Sequence, residues 1–307
     1  MTVTRDDVLA AAERIRGRVH RTPTFTAATL GPGVRLKAEL FQKTGSFKVR
    51  GVLNKLAALS PEEKARGVIG ISAGNHAQAL AWGAAAEGVD ALVVMYRGAS
   101  VQKVTATRAY GADTDLEAAD AVDAFARLDA HIARTGRTLV HPFDDPVVQA
   151  GAGTVALELV EDAPDVDTIL VAAGGGGLVA GIAAAVPGRR VIAVEPERSQ
   201  AVRAGLEAGE PVDVRPDSVA DGLSAPFAGR NALAALHANG AESMLVTEEE
   251  IEEAFRFLYA RAKLAVEPAA AVALVPVLRG DVRGNVAVVL SGGNVAPETA
   301  SAILARA

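Results

Sequence analysis

Lys48 is the residue whose surroundings suggest covalent chemistry. It lies in the segment KTGSFKVRG (43–51), among small residues and beside one aromatic side chain. A lone lysine is ordinarily a solvated cation, but a desolvated lysine amine is a nucleophile that forms a Schiff base with an aldehyde. Thr44 and Ser46 precede it, and their hydroxyls suit capping of a following helix. The segment therefore predicts either a nucleophilic amine or an ordinary helix start.

A run of four glycines follows the apolar segment TILVAA and precedes the helix-like segment LVAGIAAAV. These glycines are Gly174, Gly175, Gly176 and Gly177. Glycine lets a ligand approach the backbone closely, and a helix start offers free N–H groups and a positive dipole end. A tight turn packed on a sheet is the structural alternative. Four glycines at a strand–helix junction favour a phosphate site.

Two more loops carry polar side chains directly after apolar runs. Ser72, Gly74, Asn75 and His76 lie in SAGNH (72–76). Its N–H groups would hold a carboxylate at a helix start, although the motif taken alone favours capping by Ser72 or Asn75 and a packed or surface histidine. The other loop is SGGN (291–294), whose first hydroxyl suits either a ring nitrogen or a turn.

Glu195 raises an alternative, because it ends the segment RVIAVE about 20 residues after the glycine run. A dinucleotide-binding fold places its ribose-binding acid at that distance. The glycine spacing fits GxGxxG poorly, since Leu178 and Val179 are followed by Ala180 and Gly181. We therefore rank a nicotinamide cofactor below another phosphate-bearing cofactor.

Composition excludes several classes of protein. The 307 residues include 31 basic and 37 acidic side chains, a net charge of 31 − 37 = −6, and no cysteine. Disulfide scaffolds, thiolate metal sites and cysteine nucleophiles are therefore excluded. The absence of a basic block argues against a nucleic-acid or membrane partner, and the charged start predicts a cytoplasmic protein without a leader.

Apolar runs alternate with Ala-rich helical patterns along the chain. The predicted strands are Val68–Ser72, Ala91–Met95, Thr138–His141, Thr168–Ala172, Arg190–Val194 and Asn285–Leu290. Several runs are continuously apolar, as in a sheet covered on both faces. The uncharged stretch 168–188 is long enough to span a bilayer, but its six glycines favour a buried strand, loop and helix. The pattern predicts an α/β protein with doubly wound open parallel sheets.

Taken together and in this order, the motifs resemble the fold-type II pyridoxal-phosphate enzymes, whose fold is tryptophan synthase beta-like. The resemblance is strongest to the threonine/serine dehydratase and serine racemase branch. It extends over TPT (22–24), KAELFQKTGSFKVRG (37–51), SAGNHAQAL (72–80), HPFDD (141–145), AGGGGL (173–178), VADGL (219–223), VEP (266–268) and SGGN (291–294).

The resemblance implies a role for each motif. Lys48 would bind the cofactor aldehyde and later move a proton at the substrate α-carbon. Phe47 would pack beside the ring, Asn75 would bind its hydroxyl, and Ser291 its nitrogen. The remaining cofactor contacts would be Gly174, Gly175, Gly176, Gly177 and Leu178, which would hold the phosphate. Ser72, Ala73, Gly74, Asn75 and His76 would bind the substrate carboxylate.

The implied reaction is α,β-elimination, in which a β-hydroxy amino acid becomes a 2-oxo acid and ammonia. L-Threonine and L-serine are the first expected substrates. Racemases of this branch carry serine where this chain has Ala73, which favours the dehydratase. Serine racemisation and dehydration of hydroxyaspartate or phenylserine remain alternatives on this fold, as does a catalytically silent binding protein.

The resemblance also implies features beyond the reaction. A small domain would span residues 57–145, inserted into a large cofactor-binding domain of residues 1–56 and 146–307. The chain would form a homodimer. A divalent cation, magnesium, would lie at Glu195 and near Ser199, but the second acid of that site corresponds to Ala201, which leaves cation binding open.

Overall fold

The computed structural model describes residues 2–306. The strands are β1 (Thr24–Thr26), β2 (Val34–Ala38), β3 (Val68–Ile71), β4 (Ala91–Tyr96), β5 (Asp113–Ala118), β6 (Thr138–Leu139), β7 (Thr168–Ala172), β8 (Arg190–Pro196), β9 (Glu242–Val246) and β10 (Val286–Leu290). The helices are α1 (Arg5–Ile15), α2 (Lys48–Ala58), α3 (Pro61–Arg66), α4 (Asn75–Glu87), α5 (Val101–Ala109), α6 (Ala121–Thr135), α7 (Pro146–Asp162), α8 (Gly177–Ala185), α9 (Ala201–Ala208), α10 (Arg230–Ala238), α11 (Glu248–Phe257), α12 (Pro268–Ala271), α13 (Val275–Arg279) and α14 (Pro297–Leu304).

Two sheets organise these elements. The larger has the order β1-β2-β10-β7-β8-β9, with β1 antiparallel to β2 and the other pairs parallel. The smaller is fully parallel in the order β5-β4-β3-β6. Its strands lie between residues 68 and 139, inside the predicted insertion, whose limits at 57 and 145 stay a prediction.

Alternating side chains of β7 explain why its sequence is continuously apolar. Ile169 and Val171 pack into a core cluster with α7 and α8, whereas Leu170 and Ala172 pack into the cluster that contains α11 and α12. Helices therefore cover both faces of the larger sheet, and the predicted doubly wound α/β class is confirmed.

The uncharged stretch 168–188 does not form a single helix. It comprises β7, the glycine loop and the buried helix α8. In the part of the chain that the structure describes, no helix is long and apolar enough to cross a membrane.

The six predicted strands are all present, with ends within two residues of those expected. β1, β2, β5 and β9 escaped prediction: β1 has only three residues, and the sequences of the other three, VRLKA, DTDLEA and ESMLV, mix polar with apolar side chains. β5 and β9 are edge strands and keep part of their surface in solvent. Lys37 of β2 is fully buried, but it is neutralised by an ion pair.

A buried ion cluster, formed by Lys37, Glu39, Arg50 and Glu158, ties β2 and α2 to α7. The Arg50 guanidinium donates to both oxygens of Glu39, each at 2.8 Å, and to Glu158 at 2.7 and 2.9 Å. Lys37 Nζ donates to Glu158 at 2.7 Å. Arg50 is 0% exposed, and it lies two residues after Lys48. The cluster thus fixes the helix that begins at Lys48.

Candidate active site

A cavity of about 300 Å³ opens where the carboxyl ends of β3, β7 and β10 approach one another. This is the position at which open α/β sheets bind ligands. All four sequence motifs contribute to its wall. The predicted residues that line it are Phe47, Lys48, Ser72, Ala73, Gly74, Asn75, His76, Gly174, Gly175, Gly176, Gly177, Leu178 and Ser291.

Lys48 is the first residue of α2, and its side chain enters the cavity. Its Nζ donates to the Pro142 carbonyl at 2.6 Å and lies 5.2 Å from the centre of the Phe47 ring. Burial lowers the pKa of the Lys48 amine to about 8, although the negative charge of Glu267 acts to raise it. The neutral, nucleophilic form of the amine is therefore more populated near neutral pH than in an ordinary lysine.

The backbone before Lys48 takes a sharp path. Thr44 has φ of 60° and Gly45 has φ of 74°, in the left-handed region that is costly for a threonine. The alternative that Thr44 or Ser46 caps α2 is wrong, because Phe47 is the N-cap residue and makes no side-chain cap. The Thr44 and Ser46 hydroxyls are buried without a hydrogen-bond partner.

The loop of four glycines joins β7 to α8. The N–H groups of Gly174, Gly175 and Gly176 donate to no protein acceptor among the described residues. Gly176 is the N-cap of α8 with φ of 87°, and a Cβ on Gly175 would lie 2.4 Å from the Phe143 ring. Glycine is therefore required here by the backbone conformation and by Phe143. Free N–H groups at a helix start suit a phosphate.

The loop after β3 leads into α4. Gly74 is the N-cap of α4 and makes no side-chain cap, so the prediction of capping by Ser72 or Asn75 is wrong. The Ser72 hydroxyl instead accepts a hydrogen bond from the Gly74 N–H at 3.1 Å. The first N–H groups of this 13-residue helix remain available for a carboxylate.

His76 is a packed histidine on the cavity wall. Its Nε2 lies 2.8 Å from the Val140 carbonyl, which can only accept, so Nε2 carries the proton. Burial, and then the charge of Lys48, lowers the pKa of His76 to about 3. The imidazole is therefore neutral at physiological pH and does not serve as an acid. Its Nδ1 is buried without a partner.

Ser291 directly follows β10 and is held against the segment that leads to Lys48. The Phe47 N–H donates to the Ser291 carbonyl at 3.1 Å, and the Gly293 N–H donates to the Gly45 carbonyl at 2.9 Å. Ser46 and Gly292 form an isolated β-bridge. These contacts couple the Ser291 hydroxyl to the position of Lys48.

Three further groups in the cavity were not assigned from the sequence. Glu267, Asn294 and Asp221 line it, and Asp221 forms an ion pair with Lys103, which also lines the cavity. The segments VADGL, VEP and SGGN contain these two acids and the amide, but only the fold reveals what each side chain contacts. Asn294 donates to the side-chain oxygen of Asn75 at 2.8 Å.

Glu195 does not line the cavity, whereas the glycine loop does. The dinucleotide-binding alternative needs both at one site. Its carboxylate accepts from the N–H groups of Val202 and Arg203 at 2.7 and 2.8 Å, at the start of α9, and from the Ser243 hydroxyl at 3.3 Å. Burial raises the pKa of Glu195 to about 7, against these hydrogen bonds. Glu195 anchors a helix.

The predicted cation position does not fit a divalent ion. The oxygens of Glu195 are already occupied, and the Ser199 hydroxyl donates to the Leu223 carbonyl at 2.9 Å. Among residues 2–306, no three His, Asp or Glu side chains form a cluster that could hold a metal ion. A hard divalent cation prefers several oxygen ligands, and the position expected to supply the second acid is Ala201.

We therefore expect chelation to leave the protein unchanged. Treatment with EDTA followed by Mg²⁺ should shift the melting temperature by less than about 1 °C, because an ion that does not bind the folded chain cannot stabilise it. Differential scanning calorimetry at equal ionic strength measures this, with NaCl as the control. A Mg²⁺-dependent rise of several degrees would contradict the assignment of Glu195 as a helix anchor.

The cavity fits pyridoxal phosphate. It combines a lysine amine of lowered pKa with free N–H groups at a helix start and with an amide and a hydroxyl on the walls between them. The sequence profile of the pyridoxal-phosphate dependent enzymes matches residues 15–292. The chain belongs to this family. Its cofactor is accordingly pyridoxal phosphate, and the predicted resemblance is confirmed.

Individual members of the family are similar over nearly the whole chain. An L-threonine ammonia-lyase of Thermotoga maritima is 41% identical over 308 residues, covering 95% of this chain and 76% of its own length. A threonine deaminase of T.th. superposes with a TM-score of 0.90 at 39% identity, over 95% and 99% of the two chains. Maize serine racemase superposes with a TM-score of 0.93 at 31% identity, over 100% and 98%.

Proposed function

We propose that this protein is a pyridoxal-phosphate-dependent ammonia-lyase that converts a β-hydroxy amino acid, first of all L-threonine or L-serine, to a 2-oxo acid and ammonia. The observation that carries the proposal is the convergence of Lys48 with three strand-end loops on one cavity. The names of the similar L-threonine ammonia-lyase and threonine deaminase support the reaction type. The substrate is a small molecule.

Each end of the cofactor has a matching group in the cavity. The Lys48 amine suits its aldehyde, and Asn75 and Ser291 suit its ring oxygen and nitrogen. Phe47 lines the cavity and would pack beside the ring. The phosphate fits the N–H groups of Gly174, Gly175, Gly176, Gly177 and Leu178. When bound, pyridoxal phosphate supplies an electron sink for negative charge at the substrate α-carbon.

Lys48 is the group that moves the α-proton. Its pKa of about 8 lets the amine accept a proton near neutral pH and return it afterwards. The Pro142 carbonyl, 2.6 Å from Nζ, keeps the amine oriented within the cavity. His76 does not compete for this role, because a pKa of about 3 makes its imidazole a much weaker base than the Lys48 amine, and its Nε2 is bonded to the Val140 carbonyl.

The loop Ser72–His76 binds the substrate carboxylate in this proposal. Its N–H groups at the start of α4 carry the positive end of the helix dipole, which favours an anion. Ser291 is neutral and lies 5% exposed at the opposite loop, so it supports the ring nitrogen without adding charge. These groups orient the substrate so that its α-proton meets Lys48.

The test is product formation. Purified protein loaded with pyridoxal phosphate should release 2-oxobutyrate from L-threonine or pyruvate from L-serine, with one ammonia for each 2-oxo acid. Hydroxyaspartate and phenylserine complete the substrate panel. Protein that binds the cofactor yet releases no 2-oxo acid from any of the four would favour a silent binding protein.

Ala73 supports elimination over racemisation, because it places no hydroxyl at the position where racemases of this branch carry serine. We expect Ala73→Ser to raise D-serine formation from L-serine, relative to pyruvate, roughly tenfold or more through an added acid–base group. Chiral chromatography measures the ratio. Ala225→Ser, which adds a hydroxyl elsewhere on the cavity wall, is the control.

Two results would contradict this role of Ala73. Substantial D-serine formation by the unmodified protein would show that racemisation needs no hydroxyl at this position. An equal gain in the Ala225→Ser control would show that any added hydroxyl suffices.

The proposal includes a homodimer, which rests on the family resemblance. Analytical ultracentrifugation measures the oligomeric state directly.

A further inference from the structure

Glu267 is a buried acid on the cavity wall, and the mechanism above does not use it. The residue is 5% exposed and precedes α12. Its backbone N–H donates to the Gly292 carbonyl at 3.1 Å, which fixes it beside the Ser291 loop. A buried carboxylate is costly unless it has partners, so its contacts indicate what it does there.

The carboxylate of Glu267 holds one end of the Asn75 amide. Asn75 Nδ2 lies 2.8 and 3.1 Å from its two oxygens. Asn294 holds the other end, because its Nδ2 donates to Asn75 Oδ1 at 2.8 Å and to the Thr44 carbonyl at 2.7 Å. If the Asn75 amide were flipped, its oxygen would face the Glu267 carboxylate and its nitrogen would face the Asn294 amide nitrogen, so neither hydrogen bond could form. The two contacts therefore allow one orientation of the amide.

The charges that face Glu267 come from three other segments. Asp221 repels its ionised form, whereas Lys103 and Lys48 favour it. Burial is the largest influence and, with Asp221, raises the pKa of Glu267 to about 7. The charge next to Asn75 therefore changes near neutral pH.

We infer that Glu267 is a positioning residue that holds the Asn75 amide with one N–H facing the cavity. Through this amide, the ring oxygen of the cofactor is linked to a buried acid. The inference rests on the proposed function, which places that ring oxygen at Asn75. An amide nitrogen has two protons, so Asn75 Nδ2 can serve Glu267 with one and the cofactor with the other.

The experiment compares Glu267→Ala and Glu267→Gln with the unmodified protein, starting from apo-protein titrated with pyridoxal phosphate. Alanine removes the acceptor, and we expect cofactor affinity to fall roughly tenfold, as for loss of one hydrogen bond to a charged group. Glutamine still accepts from Asn75, so we expect affinity within about threefold. Visible absorption between pH 6 and 8 should change in the unmodified protein and stay constant in Glu267→Gln.

Glu195→Gln is the matched control, because Glu195 is also buried with a raised pKa but lies outside the cavity wall. It should keep the pH-dependent absorption. The inference is overturned if Glu267→Ala keeps normal affinity, if Glu267→Gln keeps the pH dependence, or if Glu195→Gln also loses it. If Glu267→Ala does not fold, the pH dependence of Glu267→Gln decides. An unmodified protein without a visible cofactor band would refute the proposed function itself.

Discussion

Replacing Lys48 with alanine is expected to reduce 2-oxo acid formation by roughly 10³-fold or more, because it removes both the amine that binds the cofactor aldehyde and the group that moves the α-proton. The protein should still fold, since the side chain makes one hydrogen bond, to the Pro142 carbonyl. Steady-state assays with saturating L-threonine and pyridoxal phosphate measure the loss, and circular dichroism verifies the fold.

Lys43→Ala is the matched control for this experiment. Lys43 lies five residues earlier in the same segment, but its amine faces the Trp82 ring at 5.0 Å and does not line the cavity. We expect its activity to stay within about twofold, since a half-buried cation–π contact outside the cavity contributes little to the reaction. Comparable losses in both variants would show that the segment matters for folding rather than through the Lys48 amine.

Replacing Arg50 with methionine is expected to lower the free energy of unfolding by about 3–5 kcal/mol, because it leaves a buried ion cluster without its central cation. Glu39 is 0% exposed and would lose both guanidinium contacts, and Glu158 would keep Lys37 as its cation. Urea unfolding of the cofactor-loaded protein, followed by tryptophan fluorescence and circular dichroism, measures the change.

Arg198→Met tests the same substitution at a surface ion pair. Arg198 pairs with Asp217, and their side chains are 53% and 77% exposed. Exposed pairs contribute little, so we expect a change of less than about 1 kcal/mol. Equal destabilisation by the two substitutions would contradict a special role for the buried cluster. A stabilised Arg50→Met protein would show that the cluster costs more in desolvation than it returns.

The cofactor side of the site could be predicted from sequence because a general rule places it. Parallel strands put their carboxyl ends at one edge of a sheet, so loops that follow apolar runs must meet there. The glycine loop and Ser291 follow β7 and β10 of the larger sheet, as that rule requires. Asn75 follows β3 of the smaller sheet and Lys48 begins α2, so it was the motif resemblance that predicted their place in the same cavity. Which part of the cofactor or substrate each of them contacts stays a prediction.

The side chains that depend on distant partners could not be predicted. Asn75 meets Glu267 across 192 residues and Asn294 across 219 residues. Arg50 and Glu158 are 108 residues apart. Local spacing contains no information about such pairs, because the fold as a whole brings them together.

Local alternatives failed for a related reason. A serine or threonine before a helix suggests a cap, yet Phe47 and Gly74 occupy the N-cap positions of α2 and α4. In both loops the N-cap residue makes no side-chain cap, and the segment before α2 is held instead by backbone contacts with the Ser291 loop. By contrast, Ser60 and Thr247 lie away from the site, and each is followed three residues later by a glutamate with which it forms a capping box.

Covalent mapping of the cofactor tests the central claim most directly. Protein loaded with pyridoxal phosphate is reduced with sodium borohydride, digested and analysed by mass spectrometry, with Lys48→Ala treated in parallel. The account predicts one pyridoxyl group for each chain, on the peptide that contains Lys48, and none in the variant. A group on another lysine, or no covalent group on the unmodified protein, would contradict it.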